Sequence, residues 1–482
     1  MRNVLTVYLV GYLLLDLPEA DRPAAAKEVF HVFVMGVYFF PLLGGWLSDR
    51  FLGKYRTILY LSLLYCLGHA FLAVFEGNKA GFYAGLGLIA LGSGGIKPCV
   101  SAFVGDQFDQ SNKHLARVVF DAFYWIINFG SFFASLLIPL TLKAWGPSVA
   151  FGIPGVLMFI ATVIFWLGRD RYVVVPPAPS DPHTFFGISR AVLSLPGPGR
   201  ALAIFGLVAA VFTLFGAWSL GPVAAICLAL VMILGFAGSG LYLQLGRAGS
   251  AYPAGELEAV RSVLKVLVIF ALVTPFWSLF DQKASTWVLQ AQAMTLPGWS
   301  WFQSPSQMQA LNPLLVMMLI PFNNLLLFPL LRKMGWEPTP LRRMTAGMAI
   351  AGFSWVVVGG LQVWVDGGAT VSILWQIAPY LVLTTAEVLV SATGLEFAYS
   401  QAPQEMKGVL MSFWSLAVTV GNLWVILVNA VVKREGTVQL MAGLGSSVTA
   451  VQMFFFAGFA FAAALAFAAY ALRYRTVDHY RR

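Results

Sequence analysis

The chain has 482 residues, a mean hydropathy of +0.78 and only 11% charged residues, against roughly 25% in a soluble globular domain. A soluble chain this apolar would leave large greasy patches in water, so lipid must be the solvent for much of it. The net charge of +9 does not point to nucleic acid, because the Lys and Arg residues sit in short loops rather than in a basic run.

Crossing a hydrocarbon core of ~30 Å takes about 20 apolar residues in a helix. Fourteen stretches read that way, beginning near Met1, Val29, Arg56, Gly81, Val118, Val149, Ala201, Pro222, Ser262, Pro313, Thr345, Val371, Gly408 and Thr449. The first runs only from Met1 to Leu17 before Pro18, roughly 25 Å at 1.5 Å per residue. The expectation is that Met1 lies inside the first helix, with one or two turns upstream of it. That stretch has neither the basic leader nor the small-residue cleavage site of a signal peptide. The longest break, Val173–Gly199, is rich in Pro, Ser and Gly and reads as an inter-domain linker. The next two stretches, Ala201–Ser219 and Pro222–Leu245, carry almost no internal polar residue and read as lipid-facing. Setting them aside leaves six plus six, the count of a parallel repeat. Phe40-Pro41-Leu42-Leu43 and Phe328-Pro329-Leu330-Leu331 close the second stretch of each half. The units are then 1–170, 171–260 and 261–482.

An even number of crossings puts both termini on one side. Twenty of the thirty Lys and Arg residues fall on the side of the loop Asp49–Arg56 and six on the other, the remaining four (Arg2, Lys97, Lys265, Lys283) lying in or beside apolar stretches. The positive-inside bias makes the first side, and both termini, cytoplasmic. Cys66, Cys99 and Cys227 all lie in apolar stretches and read as small buried residues, not as a disulfide framework.

Ionisable groups within a spanning helix cost about 2.5–3.5 kcal/mol each on insertion scales, so they mark function. Here they are Arg2, His31, His69, Lys97, Lys265, Asp281, Lys283, Glu387 and Glu396. Lys97 follows Gly92-Ser93-Gly94-Gly95 and precedes Pro98, which predicts an irregular helix against protein or a water-filled cavity. The pattern suggests a central cavity with positive charge from the first half and negative charge from the second. Some of these residues have a second reading. Asp281 and Lys283 lie near a helix end, and His31 near a helix start, where each also fits the interface. His69 reads better as a packed residue. Lys265, one turn past Arg261, also fits snorkelling to the cytoplasm, and Glu396 also fits a structural role.

Several segments match known motifs. Gly45-x-x-x-Asp49-Arg50-x-x-Gly53-Lys54 resembles the loop motif of the major facilitator superfamily. Gly94-Gly95-Ile96-Lys97-Pro98-Cys99-Val100-Ser101 and Gly105-Asp106-Gln107-Phe108 resemble the fourth helix of the proton-dependent oligopeptide transporter family. Phe123-Tyr124-x-x-Ile127-Asn128-x-Gly130-Ser131 resembles its fifth helix, Phe276-Trp277-x-Leu279-Phe280-Asp281-Gln282 its seventh, and Gly394-Leu395-Glu396-Phe397-x-Tyr399-Ser400-Gln401-Ala402-Pro403 its tenth. The extra helix pair matches the bacterial branch.

The resemblance implies an all-α membrane protein of the major facilitator fold, two six-helix bundles with two extra helices between them. It implies proton-coupled symport of di- and tripeptides by a monomer in the bacterial inner membrane, with a proton gradient as driving force, no cofactor or metal and no enzymatic activity. By the same resemblance Glu387 would hold the peptide's amino terminus, and Arg2 and Lys97 its carboxylate. Asn128 and Asn312 would bond its backbone, and Tyr38, Tyr124, Trp277 and Trp414 would line side-chain pockets. Asp281 would pair with Arg2, and His31, Lys265 and Glu396 would serve coupling and gating. Opposite charges at a fixed separation suit a zwitterion, since each end gains charge-assisted hydrogen bonds. Trp299 and Trp301 instead fit an interfacial belt.

Two departures stand out. The family's E-x-x-E-R motif would precede Arg2 and is not in the sequence. Asn324 stands where some relatives carry an aspartate facing Lys265, and an amide cannot form that ion pair. The same scaffold could carry another substrate, such as nitrate or a peptide-like drug, but Glu387 would repel a simple anion. A membrane enzyme is disfavoured, because the chain has no G-x-S-G, G-x-G-D or H-E-x-x-H motif. A receptor that binds peptides without moving them fits the two-half organisation less well.

Overall fold

The computed structural model describes residues 2–108, 116–177, 184–247, 252–401, 406–432, 439 and 447–475. The side chains of Arg2, Tyr124 and Glu396 lie outside the described residues. Among those described the chain is helical nearly throughout, with one isolated bridge between Thr295 and Ser372. Lipid offers the backbone no hydrogen bonds, so a spanning segment must satisfy its own.

In the first half, α1 (Arg2–Tyr8) continues into a π-type turn at Leu9–Leu13. There follow α2 (Arg22–Leu47), α3 (Gly53–Val74), α4 (Lys79–Asp106) and α5 (Ala116–Leu167). α5 is two helices broken at Gly146, whose φ of +82° would strain any residue with a Cβ. Between the halves lie α6 (Phe185–Ser194), α7 (Pro198–Gly216) and α8 (Pro222–Gln244). The second half holds α9 (Ala254–Asp281), α10 (Thr286–Gln292), α11 (Leu311–Phe322), α12 (Phe328–Lys333) and α13 (Pro340–Asp366). It ends with α14 (Ile377–Glu387), α15 (Thr393–Gln401), α16 (Lys407–Val432) and α17 (Val448–Ala471).

Eleven segments of the described residues are long and apolar enough to cross a membrane. Two of them, Arg22–Val74 and Trp125–Leu167, each hold two helices, and the shorter Val4–Leu13 adds one more. Among the described residues that makes thirteen helices long enough to cross, against fourteen expected, and Val4–Leu13 is the short one. The protein is an integral membrane protein with an all-α fold. Below, the face where α1 ends and α2 begins is the first face, and the face where α2 ends and α3 begins is the second.

Each half has its own core. Tyr8, Phe30, Phe82 and Phe151 centre the first, and Trp287, Trp355, Tyr380 and Phe456 the second. Lipid tails are as apolar as these side chains, so helices associate through close fit rather than hydrophobic burial. Gly44 of α2 lies so near α4 that a Cβ there would collide with the Gly95 backbone. At the second face, Lys54 reaches both carboxylate oxygens of Asp106 at 2.8 and 2.7 Å, tying α3 to the end of α4.

The segment between the halves differs from the sequence reading in two ways. Val173–Gly199 is not only a linker, since α6 buries Phe185, Ile188 and Val192 on one side and sets Phe185 edge-on to Phe413 of α16. Its apolar residues at i, i+3 and i+7 make one stripe. α7 is lipid-facing as expected, with Phe212 and Phe215 exposed. α8 is so only in part: Ile226, Tyr242 and Leu243 are exposed, but Ala224 and Cys227 pack in one cluster with Met35 of α2 and with Leu423 and Ile426 of α16. Its small residues allow that approach.

Candidate functional site

The site is organised by a break in α9. The crossing Ala254–Gln292 leaves α-helical geometry after Asp281, passes through a 3-10 turn at Gln282–Ala284 and resumes at Thr286. Irregular backbone at this depth needs partners. The Ala284 carbonyl accepts from Thr6 Oγ1 at 2.9 Å, the Lys283 carbonyl from Tyr380 Oη at 3.5 Å, and the Gln282 carbonyl from the Ser285 amide at 3.0 Å. The turn carries Asp281, Lys283 and Ser285, all buried.

Asp281 and Ser285 meet the other half. Asn422 of α16 donates Nδ2–H to Asp281 Oδ2 at 2.6 Å and to the Val418 carbonyl at 3.0 Å. Both partners accept, so the amide oxygen must face the other way, 2.6 Å from His31 Nδ1. His31 therefore carries a proton on Nδ1. Its Nε2 lies 3.0 Å from Ser285 Oγ, which donates to a neutral ring and accepts from a charged one. His31, Asn422 and Ser285 are fully buried, and Asp281 is 1% exposed.

Lys283 points to a second cluster. Its Nζ donates to Asn312 Oδ1 at 2.8 Å and sits 3.2 Å from the centre of the Phe280 ring. A lysine can only donate, which turns the Asn312 amide nitrogen to Glu387 Oε2, at 2.5 Å, and to Thr384 Oγ1, at 3.1 Å. Glu387 is half-buried and ends α14, where a π-type turn, Val388–Ala392, begins. Such turns recur at functional sites.

In the first half, Lys97 is exposed and its Nζ lies 4.3 Å above the Tyr38 ring, a cation–π contact. Tyr38 is partly buried and packs against the cores of both halves, so this cation stands at their boundary. Asn128 is half-buried on α5. Trp277 and Trp414 pack edge to face at 5.9 Å, 6% and 5% exposed. Gly421 is what lets α16 approach Trp277, since a Cβ there would collide with the Trp277 Cβ and lie 2.9 Å from the Thr274 carbonyl.

The structure thus joins His31 to Asp281 through Asn422, Asn312 to Glu387, Lys97 to Tyr38, and Trp277 to Trp414. Lys265 stands apart, at the second-face end of α9, 3.6 Å from Glu258. Asn324 is exposed. Arg2, Tyr124 and Glu396 fall outside the described side chains, so the expected Asp281–Arg2 pair does too. His69 is packed as expected, fully buried with Nδ1 2.7 Å from the Phe151 carbonyl. Trp299 and Trp301 are exposed and stacked at 5.1 Å, as a belt requires. Sequence reasoning did not single out Asn422, Ser285 or Thr384, and gave Lys283 no role. The search was for charges, and three of these four are neutral.

The family model described as POT family matches residues 55–194 and 222–471. The chain belongs to the POT family. Solute carrier family 15 member 2 of Danio rerio is 31% identical over 390 residues, which span 76% of this chain and 47% of that protein. The chain therefore spans about half the length of the curated relatives it matches. Two solved structures are similar along the whole chain. One, described as an auto-inhibited POT family peptide transporter, is 60% identical with a TM-score of 0.96, covering 100% of this chain and 95% of that one. The other, the POT family transporter PepTSo crystallised in meso, is 61% identical with a TM-score of 0.96 and the same coverage. The fold is that of the POT transporters, and none of these relatives is an enzyme by its description.

Proposed function

We propose that this POT protein imports di- and tripeptides by alternating access, driven by protons moving down their gradient. The observation that carries the reading is a cation and a carboxylate in opposite halves, Lys97 over the Tyr38 ring and Glu387 accepting from Asn312, neither fully buried. A peptide zwitterion bridges such a pair and rewards closure of the halves around it. The likeness, at 60% identity, to a solved POT family peptide transporter supports it.

In this reading Glu387 takes the amino terminus, and Lys97 with Arg2 takes the carboxylate. Asn128 and Asn312 bond the backbone, while Tyr38, Tyr124, Trp277 and Trp414 wall the side chains. The first face is the outside, both termini are cytoplasmic, and the protein acts as a monomer in a bacterial inner membrane without a cofactor. The bonds Thr6–Ala284, Gln307–Leu136 and His31–Asn422 all join the halves near the first face, which supports an outward gate closed here. Protonating Asp281 would weaken its bond from Asn422 and loosen that gate. Lys265 and Glu396 belong to the cytoplasmic mouth.

The test is pH-driven uptake of labelled dialanine into proteoliposomes, inside alkaline and negative. Accumulation above equilibrium, abolished by a protonophore, is the expected result. No uptake by the folded protein would move the assignment to another substrate on this scaffold.

A further inference from the structure

We propose that Lys283 is a built-in rival of the peptide's amino terminus and sets how strongly the site demands a free amine. The inference rests on the reading that Glu387 receives that terminus. In the structure the place of an ammonium at Glu387 Oε2 is held by the Asn312 amide nitrogen, 2.5 Å away. Both amide hydrogens of Asn312 are engaged, by Glu387 and Thr384, and its oxygen serves Lys283 at 2.8 Å.

Lys283 is itself fixed. Its side chain leaves the rigid turn after Asp281, its carbonyl accepts from Tyr380, and its ammonium rests on the Phe280 ring. It is 9% exposed, so its charge is poorly screened by water. One positive charge thus stands a single amide away from the carboxylate that must hold another. The two cations repel, and the pinned amide must be displaced before a ligand reaches Oε2. A ligand with a full charge and three donors can do that. An acylated terminus, with one donor and no charge, cannot. Lys283 touches no part of the bound peptide in this account, and it acts as a positioning and specificity residue through Asn312 and through its field.

The test is displacement of tritiated dialanine from the purified full chain by unlabelled dialanine and by N-acetyl-dialanine. Lys283→Gln keeps a donor for Asn312 and removes the charge. It should tighten dialanine about tenfold and change N-acetyl-dialanine less than about twofold. Lys283→Arg should restore the wild-type ratio. In a Glu387→Gln background, which holds the amine less firmly in that place, Lys283→Gln should tighten dialanine by clearly less than in the wild type. If Lys283→Gln is not monodisperse and folded, Lys283→Met carries the same expectation. An unchanged ratio in a folded charge-removing variant, or an equal change for both ligands, overturns the proposal while leaving peptide transport standing. Failure of the wild type to bind dialanine removes both readings together.

Discussion

Asn422 stands between His31 and Asp281, 2.6 Å from each, and so joins α2 of one half to α9 of the other. An amide between them accepts from the imidazole and donates to the carboxylate, so a change of charge at either end is felt at the other. Asn422→Ala removes both bonds at once, each to an ionisable group and worth about 1.5–3 kcal/mol. Proton-driven accumulation of dialanine should fall about tenfold or more, while exchange of labelled for unlabelled dialanine across the membrane stays within about threefold. Equal loss of both would mean that Asn422 serves binding or folding rather than coupling.

Glu387 offers the second prediction. Glu387→Gln replaces a charge-assisted bond to the peptide's amine by a neutral one, a loss of about 1.5–3 kcal/mol. Dialanine affinity should drop roughly 10- to 100-fold. Displacement of labelled peptide from the purified protein measures it directly, and a change below about threefold would take the amine-binding role from this carboxylate.

The third prediction concerns stability. Gly421→Ala puts a methyl group against the Trp277 Cβ and the Thr274 carbonyl, both anchored to the backbone of α9. Neither can swing aside, so α9 and α16 must part, at about 1–3 kcal/mol. Gly235→Ala in α8 meets nothing within 4 Å and serves as the control. The first variant should melt several degrees lower in detergent and the second no lower than wild type.

The fourth is a matter of pH. Asp16, in the loop between α1 and α2, lies 2.5 and 2.6 Å from Lys79 at the start of α4. The hydrogen bond from Lys79 holds its carboxyl below the ordinary range. A depressed carboxyl contributes stability above its unfolded-state pKa and loses it as pH falls through the folded one. Lys79→Gln should therefore melt slightly below wild type at neutral pH, and the two should converge under acid. The pair is exposed, so the effect is small. A gap that persists below the carboxylate range would assign it to something other than this pair.

Helix number and family were legible because long apolar runs and charged membrane residues are costly exceptions that composition reveals. Glu387, His31 and Asp281 stood out for that reason. Lys283 stood out as a charge but not as a partner of Asn312. In an unbroken helix Lys283 would lie two positions, some 200°, around from Asp281, and no Gly or Pro follows Asp281 to announce the turn that sends them to different clusters. Asn422 was hidden by its neutrality, since an amide in an apolar helix costs little enough to pass unnoticed. α6 was masked by the Pro, Ser and Gly around it, although its stripe of Phe185, Ile188 and Val192 was there to be counted. α8 read as lipid-facing because its own residues are apolar, and apolarity alone does not tell lipid from a neighbouring helix.

α2 and α16 come from different halves and pack directly against each other. At the level of Met35, Leu423 and Ile426 their seam is caulked by Ala224 and Cys227 of α8. Under the proposed peptide import, a greasy side chain held between the halves would meet protein rather than lipid at that level.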